Sequence, residues 1–277
     1  MKNQPPFFSV VIPTLNEEKF LPRLLADLVV QKERDFEVLV VDGSSNDKTA
    51  SEAKKFEHKL PLTIMVVNRS NVSTQRNFGA ERAKGKYLVF FDADVQIPSR
   101  FLSQLHEYLL KHPVPFLTTY MRGDSRNMYD LAILRLFNLI SDAAKLLDRP
   151  IVGGYNLIVL RGVFQTVGGF RQEVIYAEDQ DLADRLTKNG YELTILRSPR
   201  LTFSLRRFRH EGRLTSMRRF AKASLHILTK GPITQEIFSY PMGGGHYKFK
   251  QKEQIKPQTL LEMERYVKKF VKLFIGN

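Results

Sequence analysis

Residues 87–94 read Tyr87-Leu88-Val89-Phe90-Phe91-Asp92-Ala93-Asp94, and they carry the clearest indication of the chain's architecture. Five consecutive apolar residues predict a strand buried on both faces, as in parallel sheets. Carboxylates at the carboxyl end of such a strand point into the crevice where α/β proteins hold ligands. Because two neighbouring carboxylates repel, a hard cation such as Mg²⁺ or Mn²⁺, itself bridging substrate phosphates, is their expected partner. The alternative is a solvated turn rich in aspartate, since D-x-D is short and common.

Strand and helix patterns alternate through the first hundred residues. Strands are predicted at residues 7–12, 36–41, 62–67 and 87–91, and helices between them at 17–30, 48–56 and 73–83. This alternation predicts an α/β protein with a mostly parallel central sheet flanked by helices. Polar residues follow three of these strands, at Asn16-Glu17, at Asp42 and at Asp92 to Asp94. We therefore expect them to gather at one edge of the sheet.

The second half of the chain has a less regular pattern. Helices are predicted at residues 101–110, 127–147, 178–188 and 211–228, and strands at 116–120, 156–160 and 191–196. Residues 231–258 are rich in proline and glycine and are predicted to be loop or partly disordered. Residues 260–274 place apolar side chains on one face and lysines beside it, which predicts an amphipathic helix.

The charge is distributed unevenly along the 277 residues. Residues 197–277 contain 18 lysines and arginines but 5 acidic residues, so most of the net charge of +14 lies there. A basic surface can bind nucleic acid, anionic lipid or a phosphorylated substrate, or can simply be solvated. The helix at 260–274 could therefore lie on an anionic membrane or pack on the body of the protein.

Composition excludes two classes of site and predicts a compartment. The chain has no cysteine, which rules out disulfides and thiolate zinc sites. We find no apolar run long enough for a signal peptide or a membrane span. The sequence thus predicts a cytoplasmic protein that either is free or lies peripherally at the inner face of the cell membrane.

Four further segments complete an ordered set with Asp92 and Asp94. They are Val10-Val11-Ile12-Pro13-Thr14-Leu15-Asn16-Glu17, Val40-Val41-Asp42-Gly43-Ser44-Ser45, Gln75-Arg76-Asn77-Phe78-Gly79, and Gly168-Gly169-Phe170 followed by Ala177-Glu178-Asp179-Gln180-Asp181-Leu182. With this set, roughly residues 7–225 resemble the family 2 glycosyltransferases. The resemblance implies a GT-A fold and an inverting enzyme that uses a divalent metal, Mn²⁺ or Mg²⁺.

The resemblance also implies a division of the chain and a reaction. Residues 1–230 would form the GT-A domain, with a nucleotide-binding half at about 1–100 and an acceptor half at about 101–230. Residues 231–277 would be a basic extension. The reaction would move a sugar from a nucleotide-diphospho-sugar to a hydroxyl acceptor, namely a glycan or a lipid-linked intermediate of cell-surface polysaccharide.

The family's roles can be carried over onto matching positions. Asp42, Pro13 and Glu17 would form the pocket for the donor's base, and Arg76 would lie near the nucleotide. The remaining roles fall on Asp92 at the ribose or the metal, Asp94 at the metal, and Asp179 as catalytic base. Each position also has a plainer interpretation. Glu17 and Asp179 could be acids at helix N-termini, Asp42 a turn residue, and Arg76 a partner of a surface acid.

The basic stretch at residues 204–213 adds three candidates. Arginines interleaved with aromatic residues can bind nucleic acid, but they can also clamp diphosphates. In relatives, a basic segment at this point often folds over the donor phosphates. We therefore assign Arg206 and Arg207 to donor binding and His210 to a third metal ligand, although a surface histidine is the commoner role.

Three other functional classes agree less well with the sequence. A sugar nucleotidyltransferase would need a glycine-rich basic loop after the first strand, where this chain has Pro13 to Glu17. A non-enzymatic module that binds nucleic acid or membrane would not need the ordered carboxylates, so we expect no nucleic-acid partner. A dinucleotide oxidoreductase would need G-x-G-x-x-G after an early strand, which is absent.

Overall fold

Seven strands form one sheet in the spatial order β3-β2-β1-β4-β6-β5-β7. The structure is a computed structural model that describes residues 4–68, 71–146, 150–240 and 243–244. The strands are β1 (Phe8–Thr14), β2 (Phe36–Asp42), β3 (Leu62–Val66), β4 (Tyr87–Phe90), β5 (Phe116–Gly123), β6 (Leu157–Leu160) and β7 (Leu193–Phe203).

The four strands of the first half are all parallel. β1 lies between β2 and β4, and β2 continues to β3. In the register of β1 and β2, Thr14 stands opposite Asp42, so both lie at the carboxyl edge of the sheet. The predicted α/β class, with its mostly parallel sheet, is therefore confirmed, and Asp92 and Asp94 follow β4 at the same edge.

The second half departs from this regularity. β6 is antiparallel to both β4 and β5, whereas β5 and β7 are parallel. A short apolar run carries no information about strand direction, because β6 is buried on both faces in either orientation. The reversal matters for the site because it places residues 153–156, just before β6, beside the end of β4.

Nine α-helices surround the sheet within the described residues. They are α1 (Leu21–Val29), α2 (Thr49–Lys54), α3 (Val72–Arg82), α4 (Phe101–Lys111), α5 (Met128–Lys145), α6 (Arg161–Thr166), α7 (Glu178–Lys188), α8 (Arg206–Glu211) and α9 (Arg213–Lys230). None of the helices in this described part is both long and apolar enough to cross a membrane. The amphipathic helix expected at 260–274 lies outside the described residues.

Two helix boundaries differ from the sequence prediction in ways that shape the site. The first helix begins at Leu21 rather than at Glu17, so Glu17 stays in the loop after β1. Its backbone N–H donates to Thr49 Oγ1 at 2.7 Å, which ties this loop to α2. The helix predicted at 211–228 corresponds to α9, which begins at Arg213 rather than at Glu211. A short separate helix, α8, precedes it, and Gly212, with φ 86°, lies between the two helices.

The sheet has an apolar core on each face. Val10 and Ile12 of β1 pack in one core with α1 and α4, and Val11 packs in the other, as the alternation of a strand requires. The second core also holds Leu182 and Leu186, so it fixes α7 against the sheet. This packing carries Glu178 and Asp179, at the start of α7, to the crevice.

Candidate active site

A cavity of about 700 Å³ opens at the carboxyl edge of the sheet. Eight of the ten residues selected from the sequence line it: Pro13, Glu17, Arg76, Asp92, Asp94, Asp179, Arg206 and Arg207. Asp42 and His210 are not among its lining residues. Segments far apart in the sequence therefore meet at one place, as the prediction of polar residues at one sheet edge required.

Arg76 lines the cavity as a largely buried cation between two acids. Its side chain is 3% exposed, and its guanidinium donates to Asp92 Oδ1 at 2.8 Å and to Glu178 Oε1 at 2.6 Å. Burial opposes the charge, but Asp92, Glu178 and Asp179 outweigh it and raise the pKa of Arg76. The alternative of a surface ion pair is therefore wrong for this residue. Its proximity to a nucleotide stays a prediction.

Asp179 is a partly buried carboxyl group held by two backbone donors. The N–H of Gly154 donates to Oδ2 at 2.6 Å, and the N–H of Gln180 donates to Oδ1 at 2.8 Å. Burial, together with the negative charge of Glu178, raises the pKa of Asp179 to about 7, against the opposing effect of Arg76 and these hydrogen bonds. A carboxyl group with this pKa can accept a proton near neutral pH.

Arg206 joins two acids that the sequence placed in separate roles. Its guanidinium bonds both carboxylate oxygens of Glu17, at 2.8 and 2.5 Å, while its Nε lies 2.8 Å from Asp94 Oδ2. Burial raises the pKa of Glu17 to about 7 although Arg206 lowers it, and the pKa of Asp94 is raised for the same reason. Arg206 also lies over the ring of Phe20, 4.4 Å from its centroid.

Asp42 lies beside the cavity rather than on its wall. Thr14 Oγ1 donates to Asp42 Oδ1 at 3.0 Å, and the backbone N–H of Ser45 donates to Oδ2 at 2.9 Å. Thr14 and Pro13 do line the cavity. The turn interpretation thus fits the local geometry of Asp42, and its contact with a donor base stays a prediction.

Arg207 faces the chain that follows α9. Its guanidinium lies 3.9 Å from the ring centroid of Tyr240, and Tyr240 packs edge-on against Tyr176. The backbone N–H of Ile175 donates to Ile233 O at 3.0 Å, and that of Gly244 donates to Leu15 O at 2.9 Å. Tyr240 and Gly243 therefore form part of the cavity wall, which the loop-like sequence after residue 230 did not indicate.

Gly154 and Tyr155 were not among the selected residues. A Cβ at Gly154 would lie 2.4 Å from Arg76 Nη2, so only glycine lets the backbone reach Asp179 here. Tyr155 is partly buried in the same wall. Desolvation, together with Asp179 and Asp92, raises the pKa of its phenol. The double glycine before the strand at 156–160 was the one available signal.

A divalent cation fits the chemistry of this site, in part. Asp92 and Asp94 supply the carboxylate oxygens that Mg²⁺ and Mn²⁺ prefer, and Asp92 is 39% exposed toward the cavity. No group of three or more metal-ligating side chains exists in the described ranges. The remaining ligands would have to be phosphate oxygens and water, which is the usual arrangement for Mg²⁺ at phosphate substrates. His210 as third ligand stays a prediction.

Comparison with known proteins agrees with this geometry. The model of Glycosyl transferase family 2 matches residues 9–168. Staphylococcus aureus poly(ribitol-phosphate) beta-N-acetylglucosaminyltransferase TarS is 32% identical over 120 residues, which cover 42% of this chain and 21% of TarS. Haloferax volcanii glycosyltransferase AglE is 29% identical over 199 residues, covering 68% of this chain and 64% of AglE. The chain thus spans about a fifth of the length of TarS.

Two solved structures share the fold. A crystal structure of S. aureus TarS in complex with UDP-GlcNAc superposes with a TM-score of 0.60 at 24% identity, covering 71% of this chain and 58% of that one. Mannosyltransferase PcManGT from Pyrobaculum calidifontis, in complex with GDP-Man and Mn²⁺, gives a TM-score of 0.62 at 24% identity, covering 80% and 65%. The predicted GT-A fold is confirmed.

The fold and the family match together define the class of protein. The chain belongs to glycosyl transferase family 2, and its class is that of the glycosyltransferases. The resemblance inferred from the five ordered motifs is therefore confirmed.

Proposed function

We propose that this protein is a metal-dependent, inverting glycosyltransferase that moves a sugar from a nucleotide-diphospho-sugar to a hydroxyl acceptor. The observation that carries the proposal is the placement of Asp179 in one cavity with Asp92 and Asp94. A carboxyl group whose pKa lies near 7 faces two acids suited to a cation and a diphosphate. This arrangement pairs a base with a site for the leaving group.

Asp179 and the pair Asp92 and Asp94 have different roles in the proposed reaction. Asp179 accepts the proton of the attacking hydroxyl, which approaches the anomeric carbon opposite the diphosphate and inverts its configuration. Asp92 and Asp94 would hold a divalent cation. When bound, the cation would neutralise the negative charge that builds on the departing diphosphate. We propose that Arg206 and Arg207, on α8, bind the same phosphates.

The donor is proposed as a nucleotide-diphospho-sugar held by the first half of the chain. TarS and PcManGT were crystallised with UDP-GlcNAc and GDP-Man, which supports this donor class without selecting a base or a sugar. Pro13, Thr14 and Glu17 line the cavity beside Asp42, which supports a base pocket there. We propose that residues 1–230 form the transferase domain, with the donor half at about 1–100 and the acceptor half at about 101–230.

The arginines of residues 204–219 argue for this function over nucleic-acid binding. Four of them pair with acids of the same chain: Arg206 with Glu17, Arg213 with Asp130 and Arg219 with Glu211 in partly buried positions, and Arg209 with Asp124 at the surface. A nucleic-acid surface needs basic side chains that are turned to solvent. We therefore propose a glycan or lipid-linked acceptor, and no nucleic-acid partner. We also propose a cytoplasmic or peripheral location at the cell membrane.

The test is a thermal-shift panel of UDP, GDP, CDP and dTDP, each with and without Mn²⁺. We expect one diphosphate to raise the melting temperature only with Mn²⁺, because ligand at about 100 times its Kd adds about 2.7 kcal/mol of stability. Asp94→Asn should abolish the shift. Asp35→Asn, at an exposed acid outside the cavity, should retain it. A panel with no shift on the wild-type protein would contradict the proposed function.

A further inference from the structure

Three helices extend the cavity beyond Asp179 into what we call the helical groove. Its walls are formed by α5, α7 and α9. The lining residues are Ile133, Leu134 and Phe137 of α5, Gln180, Asp184, Thr187 and Lys188 of α7, and Ser216, Phe220, Ala223 and Ile227 of α9. None of the roles considered above uses this groove.

The walls formed by α5 and α9 are apolar and fixed against each other. The rings of Phe137 and Phe220 lie 5.8 Å apart, and Arg213 Nε pairs with Asp130 at 2.7 Å across the two helices. Apolar side chains facing an open cavity leave hydrophobic surface in contact with water, which is unfavourable unless a ligand covers it. A ligand of this groove should therefore carry apolar surface.

The wall formed by α7 is polar. Gln180, Asp184, Thr187 and Lys188 lie at helical spacing on one face, directly after Asp179. Across from them, Ser216 is 9% exposed, and its Oγ is buried without a hydrogen-bond partner in the described part of the chain. Polar groups that are buried unpaired indicate a ligand with polar groups of its own. The groove is thus amphipathic.

We propose that the helical groove binds the acceptor, and that this acceptor is an amphiphile with a long apolar chain. Its hydroxyl-bearing head lies at Asp179 along α7, and its chain runs between α5 and α9. This inference rests on the proposed function. A purely polar glycan would leave the walls of Phe137, Phe220 and Ile227 uncovered.

Apolar side chains exposed on the outer faces of α5 and α9 favour a ligand that enters the groove from a lipid phase. Met128, Leu139 and Leu146, in or directly after α5, are 72%, 63% and 84% exposed, and Leu225 of α9 is 40% exposed. Helices that expose large apolar side chains on the outside and line an apolar groove on the inside suit a site filled from a lipid phase.

The experiment measures how affinity depends on chain length. Methyl, hexyl, octyl and decyl β-D-glucoside are titrated calorimetrically into the full chain below the concentrations at which they form micelles. Each methylene that enters the groove should tighten binding roughly twofold to fourfold until the groove is filled. Equal affinity of the methyl and decyl compounds would overturn the proposal.

Variants separate the groove from non-specific binding. Ile227→Asp, in the wall, should remove the dependence on chain length, and Leu225→Asp, on the outer face of α9, should keep it. Ala223→Phe fills the groove without adding charge and gives a second test if Ile227→Asp folds poorly, which thermal unfolding would reveal. Chain-length dependence that persists in both wall variants would also overturn the proposal.

The same proteins are titrated with the nucleoside diphosphate and Mn²⁺ selected by the thermal-shift panel. Nucleotide binding without chain-length dependence would contradict the acceptor inference and leave the proposed function intact. Chain-length dependence without binding of any nucleoside diphosphate would contradict the proposed function, and with it the assignment of the amphiphile as acceptor.

Discussion

The two N–H groups that donate to Asp179 explain how a partly buried carboxyl group can still ionise near neutral pH. A buried carboxylate without partners would stay protonated through neutral pH, because charge is costly in a low-dielectric site. Gly154 and Gln180 each donate a backbone hydrogen bond to one of its oxygens. The positive charge of Arg76, which pairs with Glu178, also favours the ionised form of Asp179. These contacts partly offset the loss of hydration of the ionised carboxylate, and the pKa of Asp179 is therefore about 7.

The pH dependence of turnover should report this carboxyl group. Asp179 must be ionised to accept a proton, so kcat/KM should fall about tenfold per pH unit below pH 7. Glu178→Gln removes a neighbouring negative charge that raises the pKa of Asp179, and should therefore move this limb to lower pH. Asp179→Asn should lower kcat by roughly 100-fold or more. An acidic limb that is identical in Glu178→Gln and wild type would count against Asp179 as the base.

Glu17 makes the stability of the protein pH-dependent through the same physical cause. Its pKa is about 7 in the folded chain, against an ordinary value of 4.5, so unfolding releases a proton between these pH values. Stability should therefore fall as pH rises from about 5 to 8. In Glu17→Gln the fall should be shallower, as measured by urea unfolding across this range. An unchanged slope would show that Glu17 is ionised throughout.

At the scale of secondary-structure elements, turns with strained backbone set the orientation of the site residues. In the part of the chain that the structure describes, three non-glycine residues have positive φ. They are Asn16 at 55° after β1, Ser44 at 64° after β2 and Ala177 at 58° before α7. Left-handed backbone costs an L-residue roughly 1–2 kcal/mol. Secondary-structure propensities do not predict positive φ at these residues. The positions of the loops could therefore be predicted from the sequence, but the directions of their side chains could not.

Ala177 gives this strain a test. Ala177→Gly should raise stability by up to about 1 kcal/mol and keep activity, because glycine adopts positive φ without a steric penalty. Ala177→Val should lower both, because a β-branched residue is strongly disfavoured there and Asp179 lies two residues on. Chemical denaturation and kcat measure the two effects. A valine variant with normal stability would contradict the strain assignment.

Arg206 connects α8 to the loops after β1 and β4. Arg206→Ala should destabilise the protein by roughly 3 kcal/mol, because Glu17 and Asp94 would remain buried without their cation. Saturating Mn²⁺ should restore more stability to Arg206→Ala than to wild type, since Asp94 is then free to bind it. Arg34→Ala, at an exposed residue, serves as control. Equal effects of Mn²⁺ on wild type and Arg206→Ala would show that Arg206 and the metal do not compete for Asp94.

At the scale of the whole molecule, the ordered carboxylates and the alternating strands could be predicted because each is local. The sheet edge collects Glu17, Asp92 and Asp94 as a consequence of parallel strands. Contacts across the molecule could not be predicted. Arg206 lies 189 residues from Glu17, and no periodicity encodes that pairing. The antiparallel β6 and the return of Tyr240 and Gly243 to the cavity are long-range features of the same kind.

Asn77 is one of the residues that join the two halves of the chain. Asn77 of α3 donates to Phe170 O at 2.7 Å and accepts from the backbone N–H of Phe170 at 2.9 Å. Asn77→Ala should lower stability by about 2 kcal/mol, since two partly buried hydrogen bonds are lost. Asn77→Asp should cost at least as much, because a carboxylate can accept from the N–H but cannot donate to the carbonyl. The exposed Asn189→Ala, at the end of α7, should change little. Urea unfolding measures all three, and an Asp variant as stable as wild type would show that the bond to Phe170 O contributes nothing.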